Sequence, residues 1–206
     1  DKCKIIRYTR KKDINSYNYM ILSKRLPSYT TIKDLGVHFD DKFCFSQHLE
    51  HMLKDSFKVL GFIIRNTREF RNPDCLKMLF HTMVLAKLEY CSVIWFPIYT
   101  CHVNDIEKLQ RRFLKFLAFK CDGVYPERGV PQNELTGRFG MMNLNMRRKI
   151  SCLHFLYKII NGYVDCQELL CHLNLMVPTF GTRSKFTFYC KKARTNVLIK
   201  SPIFNM

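Results

Sequence analysis

The chain has 206 residues and a mass of 24.6 kDa, enough for one large domain or two small ones. Its 34 Lys and Arg against 17 Asp and Glu give a formal net charge of +17, which favours polyanionic partners and nucleic acid first. Hydrophobic residues make up 47%, which excludes a wholly disordered chain. No apolar run approaches the roughly 20 residues of a spanning helix, so we expect no membrane partner.

The N-terminal segment is rich in β-branched and aromatic residues. Runs at 4–8 and 17–22, separated by polar residues, predict a strand pair or hairpin. The stretch "LGVHF" at 35–39 predicts another short strand, with Gly36 at its second position. Asp40, Asp41 and Lys42 follow it and predict a turn before a helix.

Asp40 and Asp41 form the only Asp-Asp pair in the chain, and two interpretations compete for them. Polymerases hold magnesium with an aromatic residue followed by two aspartates. Two-metal phosphoryl transfer, however, needs several carboxylates that converge on the ions. The other acidic residues nearby do not lie in apolar strands. An acidic residue just before a helix is also stabilised by the positive end of the helix dipole. The sequence therefore favours a turn.

From residue 46 onward the apolar period changes from two to 3.6 and predicts four helices. The predicted starting positions are Ser46, Asn72 with Pro73 in the first turn, Asn104 and Asn145. The predicted apolar face of the third helix comprises Ile106, Leu109, Phe113 and Leu117. That of the fourth comprises Ile150, Leu153, Leu156 and Ile160. Residues 121–140 contain four Gly and two Pro and predict a loop.

The order of these elements predicts an α+β fold, in which a few short N-terminal strands precede a mostly α-helical bundle. We divide the chain into strands at 1–41, helices at 42–120, and a loop, a further helix and a basic C-terminal extension at 121–206.

Basic residues recur along two of the predicted helices. Lys108, Arg111, Arg112 and Lys115 fall on the face opposite the apolar residues of the third helix. Arg147, Arg148 and Lys149 begin the fourth. Such faces can simply keep a domain in solution. The net charge and the scarcity of acidic partners in these stretches favour phosphate contact, which positions a duplex without reading its sequence.

The sequence shows neither a disulfide framework nor a catalytic constellation. Ten cysteines are scattered without a Cys-x-x-Cys pair, which favours reduced thiols and an intracellular protein, in nucleus or cytoplasm. Cys166, Cys171 and His172 lack the spacing of a standard zinc site. No nucleophile, His and Asp arrangement stands out, and we predict no catalytic or metal-binding residue.

Three segments carry a resemblance to a known family. They are "KDLGVHFDDKFCFSQHLEHMLKDSFKVLGFIIRNTREF" at 33–70, "LEYCSVIW" at 88–95 and "IEKLQRRFLKFL" at 106–117. The chain resembles the part that follows the active-site palm in reverse transcriptases of non-LTR (LINE-type) retrotransposons, jockey-like mobile elements in particular. The resemblance continues to "RTNVLIKSPIFNM" at 194–206.

This resemblance implies an RNA-directed DNA polymerase in which 1–41 are the last palm strands, 42–120 the thumb and 121–206 a C-terminal extension. Lys2 to Lys4 would match the lysine-bearing segment after the catalytic aspartates. Lys33 and Gly36 would belong to the primer-grip strand that supports the primer end. The implied partners are an RNA template and a DNA primer duplex, together with the upstream part of the polymerase.

The family's catalytic motifs, an Asp in an early palm strand and an aromatic-Ala-Asp-Asp hairpin, do not occur in the chain. Asp40 and Asp41 follow the primer-grip segment and so lie on the wrong side of that motif series. The resemblance implies no cofactor for this chain, with Mg²⁺ expected only in the palm, and a fragment that is inactive alone. The alternative hypothesis is a degenerate or host-adopted helical interaction module.

Overall fold

The computed structural model describes residues 3–11, 17–97, 99–174, 176 and 188–189. Lys2 and the segment 194–206, both used in the resemblance, lie outside the described residues. The described part is α+β, with short strands followed by helices, which confirms the predicted fold class.

The strands form three two-stranded pairs. They are β1 (Ile5–Ile6), β2 (Met20–Ile21), β3 (Lys24–Arg25), β4 (Ser28–Tyr29), β5 (Thr31–Asp34) and β6 (Val37–Asp40). β1 pairs with β4 in parallel, whereas β2 with β3 and β5 with β6 are antiparallel.

The predicted hairpin between 4–8 and 17–22 is wrong. β2 instead closes on β3 through a two-residue turn at Leu22 and Ser23, both of which have positive φ. This geometry matches the twist of a tight hairpin. The local closure leaves β1 to pair with β4, further along the chain.

The helices are α1 (Ser46–Asn66), α2 (Pro73–Phe80), α3 (Ala86–Glu89), α4 (Thr100–Asp122), α5 (Gln132–Phe139), α6 (Leu144–Ile160) and α7 (Gln167–His172). A π-helical turn at His81–Leu85 joins α2 to α3. None of the helices in the described part is long and apolar enough to cross a lipid bilayer.

The sequence predicts the first residue of a helix well where a local cap specifies it. The Asn72 side chain accepts a 2.8 Å hydrogen bond from the Asp74 amide, and Pro73 is the first helical residue, so the predicted start of α2 is confirmed. α1 begins at Ser46 as predicted, although its N-cap is Phe45 and not Ser46, whereas α4 begins at Thr100 rather than Asn104. The loop predicted at 121–140 is interrupted by α5, which follows Pro131 and ends at Gly140 with φ of 62°.

Among the described residues, one hydrophobic core holds α1 to α6 and the β5–β6 hairpin together, and it draws on all three predicted segments. The rings of Phe80 and Phe113 stack at its centre with centroids 4.1 Å apart. Trp95 is fully buried, and its indole N–H donates a 2.7 Å hydrogen bond to the Tyr90 carbonyl. Val37 joins the same cluster from β6, and Leu144 joins it from α6.

The apolar face predicted for α6 is largely wrong. Leu156 is buried as predicted, but Ile150, Leu153 and Ile160 are exposed. The buried face of α6 consists of Leu144, Arg148, Cys152, Leu156 and Ile159. The helix carries apolar residues on two sides, so its periodicity alone does not select the face that packs.

Candidate nucleic-acid interface

The β5–β6 hairpin carries two of the predicted site residues, Lys33 and Gly36. Leu35 and Gly36 form its two-residue turn with φ of 42° and 88°, so Gly36 lies in the turn and not in a strand as predicted. Positive φ at both positions favours glycine there. Lys33 is exposed in β5, opposite His38.

The tip of this hairpin is attached to the helices. The Tyr90 hydroxyl, just after α3, donates a 2.8 Å hydrogen bond to the Leu35 carbonyl. Directly after the turn, Val37, the first residue of β6, is buried in the core. The hairpin therefore presents Lys33 to solvent from an anchored position.

Asp40 ends β6, and its carboxylate organises the turn that leads into α1. Its Oδ1 accepts hydrogen bonds of 3.0 Å from the Lys42 amide and 2.8 Å from the Cys44 amide. Its Oδ2 accepts a 2.5 Å bond from the Phe45 amide. The predicted turn is confirmed, and Asp40 acts as an acceptor for backbone groups that the strand and the helix leave unpaired.

Asp41 contributes to the same turn through its backbone. Its amide donates a 3.0 Å hydrogen bond to the Thr30 carbonyl, and its carbonyl accepts one of 3.0 Å from the Thr9 amide. Across the described ranges, no three His, Cys, Asp or Glu side chains are placed to hold a metal ion.

α4 carries the four predicted cations on one side because its other side is fixed in the core. Ile106, Leu109, Phe113 and Leu117 are all 0% exposed, as predicted. At helical spacing, burial of these four residues directs Lys108, Arg111 and Arg112 toward solvent, and all three are exposed. Lys115 is half-buried.

The four α4 cations have different local partners. Lys108 forms a 2.7 Å ion pair with Asp105, so the expected scarcity of acidic partners does not hold at this position. Arg111 donates a 3.3 Å hydrogen bond to the Gln132 amide oxygen on α5. Arg112 makes no hydrogen bond or ion pair with any residue that the structure describes.

Lys115 points toward the connection between α4 and α5. Its Nζ donates a 3.4 Å hydrogen bond to the Glu127 carbonyl and lies 6.0 Å from the Tyr125 ring centroid. These contacts and the exposed Lys108 pair are weak, because solvent screens exposed charges and long hydrogen bonds contribute little. The four cations can therefore exchange these contacts for phosphate groups at a small cost in free energy.

The two arginines predicted on α6 do not join this surface. Arg147 forms a two-pronged ion pair with Glu89 of α3, which raises the pKa of Arg147 through hydrogen bonding to that carboxylate. Arg148 is 1% exposed, so the surface position predicted for it is wrong. Leu144, Cys152 and Leu156 lie on the same face of α6 as Arg148. Their spacing in multiples of four residues was the sequence signal for the burial of Arg148.

Burial of Arg148 disfavours its charged form. Loss of hydration lowers the pKa of its guanidinium to about 10, although Glu107 and Glu89 oppose the decrease. Its Nε and Nη2 atoms have no hydrogen-bond partner among the described residues. Glu107 itself accepts 2.6 Å hydrogen bonds from the Asn145 amide and from the Gln132 side chain. Arg148 thus belongs to the interior between α4 and α6 rather than to a binding face.

The structure also shows a basic surface that the site predictions missed. Lys4, Arg7, Lys24 and Arg25 surround the short strands β1 to β4, among exposed tyrosines. The sequence signal for this surface was the alternation of basic and aromatic residues at 4–11 and 17–29. The strand prediction considered only the β propensity of these residues.

Comparison of the chain with protein-family models, with curated proteins and with solved structures gives no match.

Proposed function

We propose that this chain is the nucleic-acid-binding part of a non-LTR (LINE-type, jockey-like) retrotransposon reverse transcriptase, with the helical bundle as its thumb. The observation that carries the proposal is α4, a 23-residue helix with a fully buried apolar stripe and a basic opposite side. Lys108, Arg111, Arg112 and Lys115 supply that basic side. The resemblance of "IEKLQRRFLKFL" supports the same assignment.

The proposed ligand is a template–primer duplex, bound through its phosphates. Arg112 is exposed without a protein partner in the described ranges, so it is the first group available to a phosphate. Lys108 can exchange Asp105 for phosphate because an exposed ion pair contributes about 1 kcal/mol or less. Contacts of this kind release counterions and do not read bases. An enzyme that copies templates of any sequence needs contacts that do not depend on that sequence.

The β5–β6 hairpin is the proposed support for the primer end. Lys33 is exposed on β5, and the Tyr90 hydrogen bond anchors the turn that contains Gly36. A cation on an anchored hairpin can hold a phosphate at a fixed position relative to the helices, which positions a strand end better than a free loop does.

We assign nucleotide addition to another part of the polymerase. The carboxylate of Asp40 is engaged by three backbone amides, and the polymerase's aromatic-Ala-Asp-Asp sequence does not occur here. Mg²⁺ and catalysis would belong to a palm, which we propose as a protein partner inside the cell. We expect the chain alone to extend no primer on an RNA template with Mg²⁺ or Mn²⁺.

The test is binding of a fluorescent RNA/DNA hybrid by the wild type and by Arg112→Gln. We expect wild-type binding that weakens in Arg112→Gln and is unchanged in Lys58→Gln, a matched loss of one positive charge on α1. Equal affinity in all three proteins, or no binding at all, would overturn the proposal.

A helical interaction module is the second candidate, and one observation favours it. α6 exposes an apolar stripe at helical spacing. The stripe consists of Met146, Ile150, Leu153, Tyr157 and Ile160, which are 45–57% exposed. Contiguous apolar surface of this kind often marks a protein contact. If Leu153→Asp changed the oligomeric state while hybrid binding was absent in the wild type, this candidate would replace the first.

A further inference from the structure

Strands β1 to β4 form a grooved surface that the duplex contacts proposed on α4 and on the β5–β6 hairpin do not use. Two open cavities of about 600 and 660 Å³ lie side by side there, each within the size range of ligand pockets. Arg25, Leu26 and Pro27 line both cavities, so the two share one rim. The groove extends from Tyr17 in the first cavity to Tyr29 in the second.

Among the described residues, those that line the two cavities carry positive charges only. The described residues between 3 and 33 include no Asp or Glu. Their cations are Lys4, Arg7, Arg10, Lys11, Lys24, Arg25 and Lys33. Four of these line the two cavities, namely Lys4, Arg7, Lys24 and Arg25. A concave surface with such a charge concentrates anions.

Aromatic rings are interleaved with the cations. Tyr17, Tyr19 and Tyr29 are 68%, 47% and 43% exposed. The rings of Tyr17 and Tyr19 meet edge to face with centroids 5.0 Å apart. The Lys4 ammonium lies 5.2 Å from the centre of the Tyr29 ring, and the Arg7 guanidinium lies 5.6 Å from that of Tyr19. Each of these two rings therefore has a cation at one face and remains partly open to solvent.

Exposed rings alternating with cations are the arrangement by which proteins hold unpaired nucleotides. Bases stack on the rings and phosphates meet the cations. A duplex cannot use the rings in this way, because its base faces are already covered by neighbouring base pairs. Near the α4 cations the described residues include one exposed pair of rings, Phe119 and Tyr125, and of the four cations only Lys115 lies close to either ring, 6.0 Å from the centre of Tyr125.

We propose that the groove formed by β1 to β4 binds single-stranded RNA or DNA, with bases stacked on Tyr17 and Tyr29 and phosphates held by Lys4 and Arg25. This site is separate from the duplex site proposed on α4. It would bind an unpaired strand that continues from a template–primer duplex, but its binding of a free strand does not depend on the duplex proposal.

The experiment measures binding of three fluorescent probes by the whole chain. The probes are a dT oligonucleotide of 12 nucleotides, an abasic chain of equal length and an RNA/DNA hybrid. The stacking variant is Tyr17→Leu with Tyr29→Leu, and its conservative counterpart is Tyr17→Phe with Tyr29→Phe. The charge variant is Lys4→Gln with Arg25→Gln. The matched controls are Tyr157→Leu on α6 and Arg111→Gln with Arg112→Gln on α4.

We expect the Leu variant to bind the dT probe about tenfold more weakly or worse, because each stacked base contributes substantially. It should bind the abasic probe as the wild type does, since that probe has charge but no bases. The Phe variant should retain dT binding. The charge variant should make the salt dependence of dT binding shallower by about 1.4, which is about 0.7 for each lost phosphate contact on a single strand.

The outcomes separate the two proposed sites. Equal loss of dT and abasic binding in the Leu variant, or no loss of either, would overturn the stacking site. So would an α4 variant that weakens dT and hybrid binding equally, because one surface would then serve both probes. If the Leu variant unfolds early, Tyr17→Leu alone at the most exposed ring replaces it, with the same expected difference between the dT and abasic probes. An α4 variant without effect on the hybrid would count against the duplex proposal only.

Discussion

The hydroxyl of Tyr90 donates a 2.8 Å hydrogen bond to the carbonyl of Leu35, and this contact attaches the tip of the β5–β6 hairpin to the end of α3. Beyond the pairing of β5 with β6, the hairpin is held by the buried Val37 and by contacts with α1, where the His38 amide donates a 3.4 Å hydrogen bond to His48. We infer that the Tyr90 bond fixes the position of the hairpin rather than the stability of the helices.

Tyr90→Phe tests this inference. The variant keeps the ring and removes only the donor, so amide hydrogen exchange at 31–40 should accelerate while the helices keep their protection. Tyr157→Phe on α6 is the matched control and should leave exchange in the hairpin unchanged. Uniformly faster exchange throughout α1 and α4 would instead assign Tyr90 to the global fold.

Asp40→Asn should destabilise the chain, whereas Asp41→Asn should not. Both carboxylate oxygens of Asp40 accept backbone N–H bonds, and an Asn amide would turn its own N–H group toward one of those donors. Leaving a donor unpaired costs about 1–3 kcal/mol. Urea unfolding of the two variants checks the difference, and equal stability would remove Asp40 from its assigned role in the turn.

The same two substitutions combined test the metal interpretation. If Asp40 and Asp41 form only a turn, the double variant binds nucleic acid as tightly as the wild type, or slightly more tightly because negative charge is removed. This comparison is made below the melting temperature of the double variant, with and without Mg²⁺. Mg²⁺-dependent binding that is present in the wild type and lost in the double variant would support a metal site.

His48 should make the protein sensitive to acid. Burial, together with His38, His51 and Lys33, lowers the pKa of His48 to about 4. A base with a depressed pKa in the folded state contributes stability above its unfolded pKa of about 6.5, and this stability is lost as the pH falls toward 4. We expect ~2 kcal/mol of loss in that interval, after allowance for partial solvent screening.

Unfolding in urea at pH 7.5 and pH 4.5 measures this loss. His48→Gln cannot titrate and retains an acceptor for the 3.4 Å hydrogen bond from the His38 amide, so its stability should change less between the two pH values. His154→Gln, at an exposed position on α6, should behave as the wild type. Identical pH dependence in His48→Gln and wild type would show that another group controls acid unfolding.

Arg148→Met should leave the protein as stable as the wild type or more stable. The buried guanidinium has unpaired Nε and Nη2 atoms in the described part, and well-packed apolar side chains often replace buried charges without loss. Arg148→Ala should lie about 2–5 kcal/mol below the Met variant because it leaves a cavity. Hybrid binding should be unchanged in Arg148→Met, and a loss there would return Arg148 to the phosphate-contacting set.

The sequence predicts most reliably those structural features that local interactions determine. Asn72 and Pro73 specify the start of α2 through a cap and a fixed φ, and neither depends on the rest of the chain. The stripe of α4 is equally clear, because Ile106, Leu109, Phe113 and Leu117 recur at helical spacing and are all buried. By contrast, the parallel pairing of Ile5 with Ser28 is a non-local contact that no local pattern encodes.

In the candidate site, too, the sequence predicts positions that local pattern determines and misses those that depend on packing between helices. The exposure of Arg112 follows from the buried positions beside it in α4. The burial of Arg148 does not follow from its charge, because a basic residue is normally placed on the surface. The carboxylates that act on its charge, Glu107 on α4 and Glu89 on α3, come from other helices, so only the packing of three helices reveals the interior position.

The most direct test of the central claim, that α4 meets phosphate, is a salt titration of duplex DNA binding. Three or four contacts predict that log K falls with log salt with a slope of roughly −3 to −4. Arg111→Gln with Arg112→Gln should weaken binding to all sequences alike and make that slope shallower by about 2. Melting should barely change, because exposed substitutions usually alter stability by about 0.5 kcal/mol or less. Lys54→Gln with Lys58→Gln on α1, which removes the same charge, should keep the wild-type slope. An unchanged slope in the α4 variant, or an equal decrease in both variants, would contradict the account.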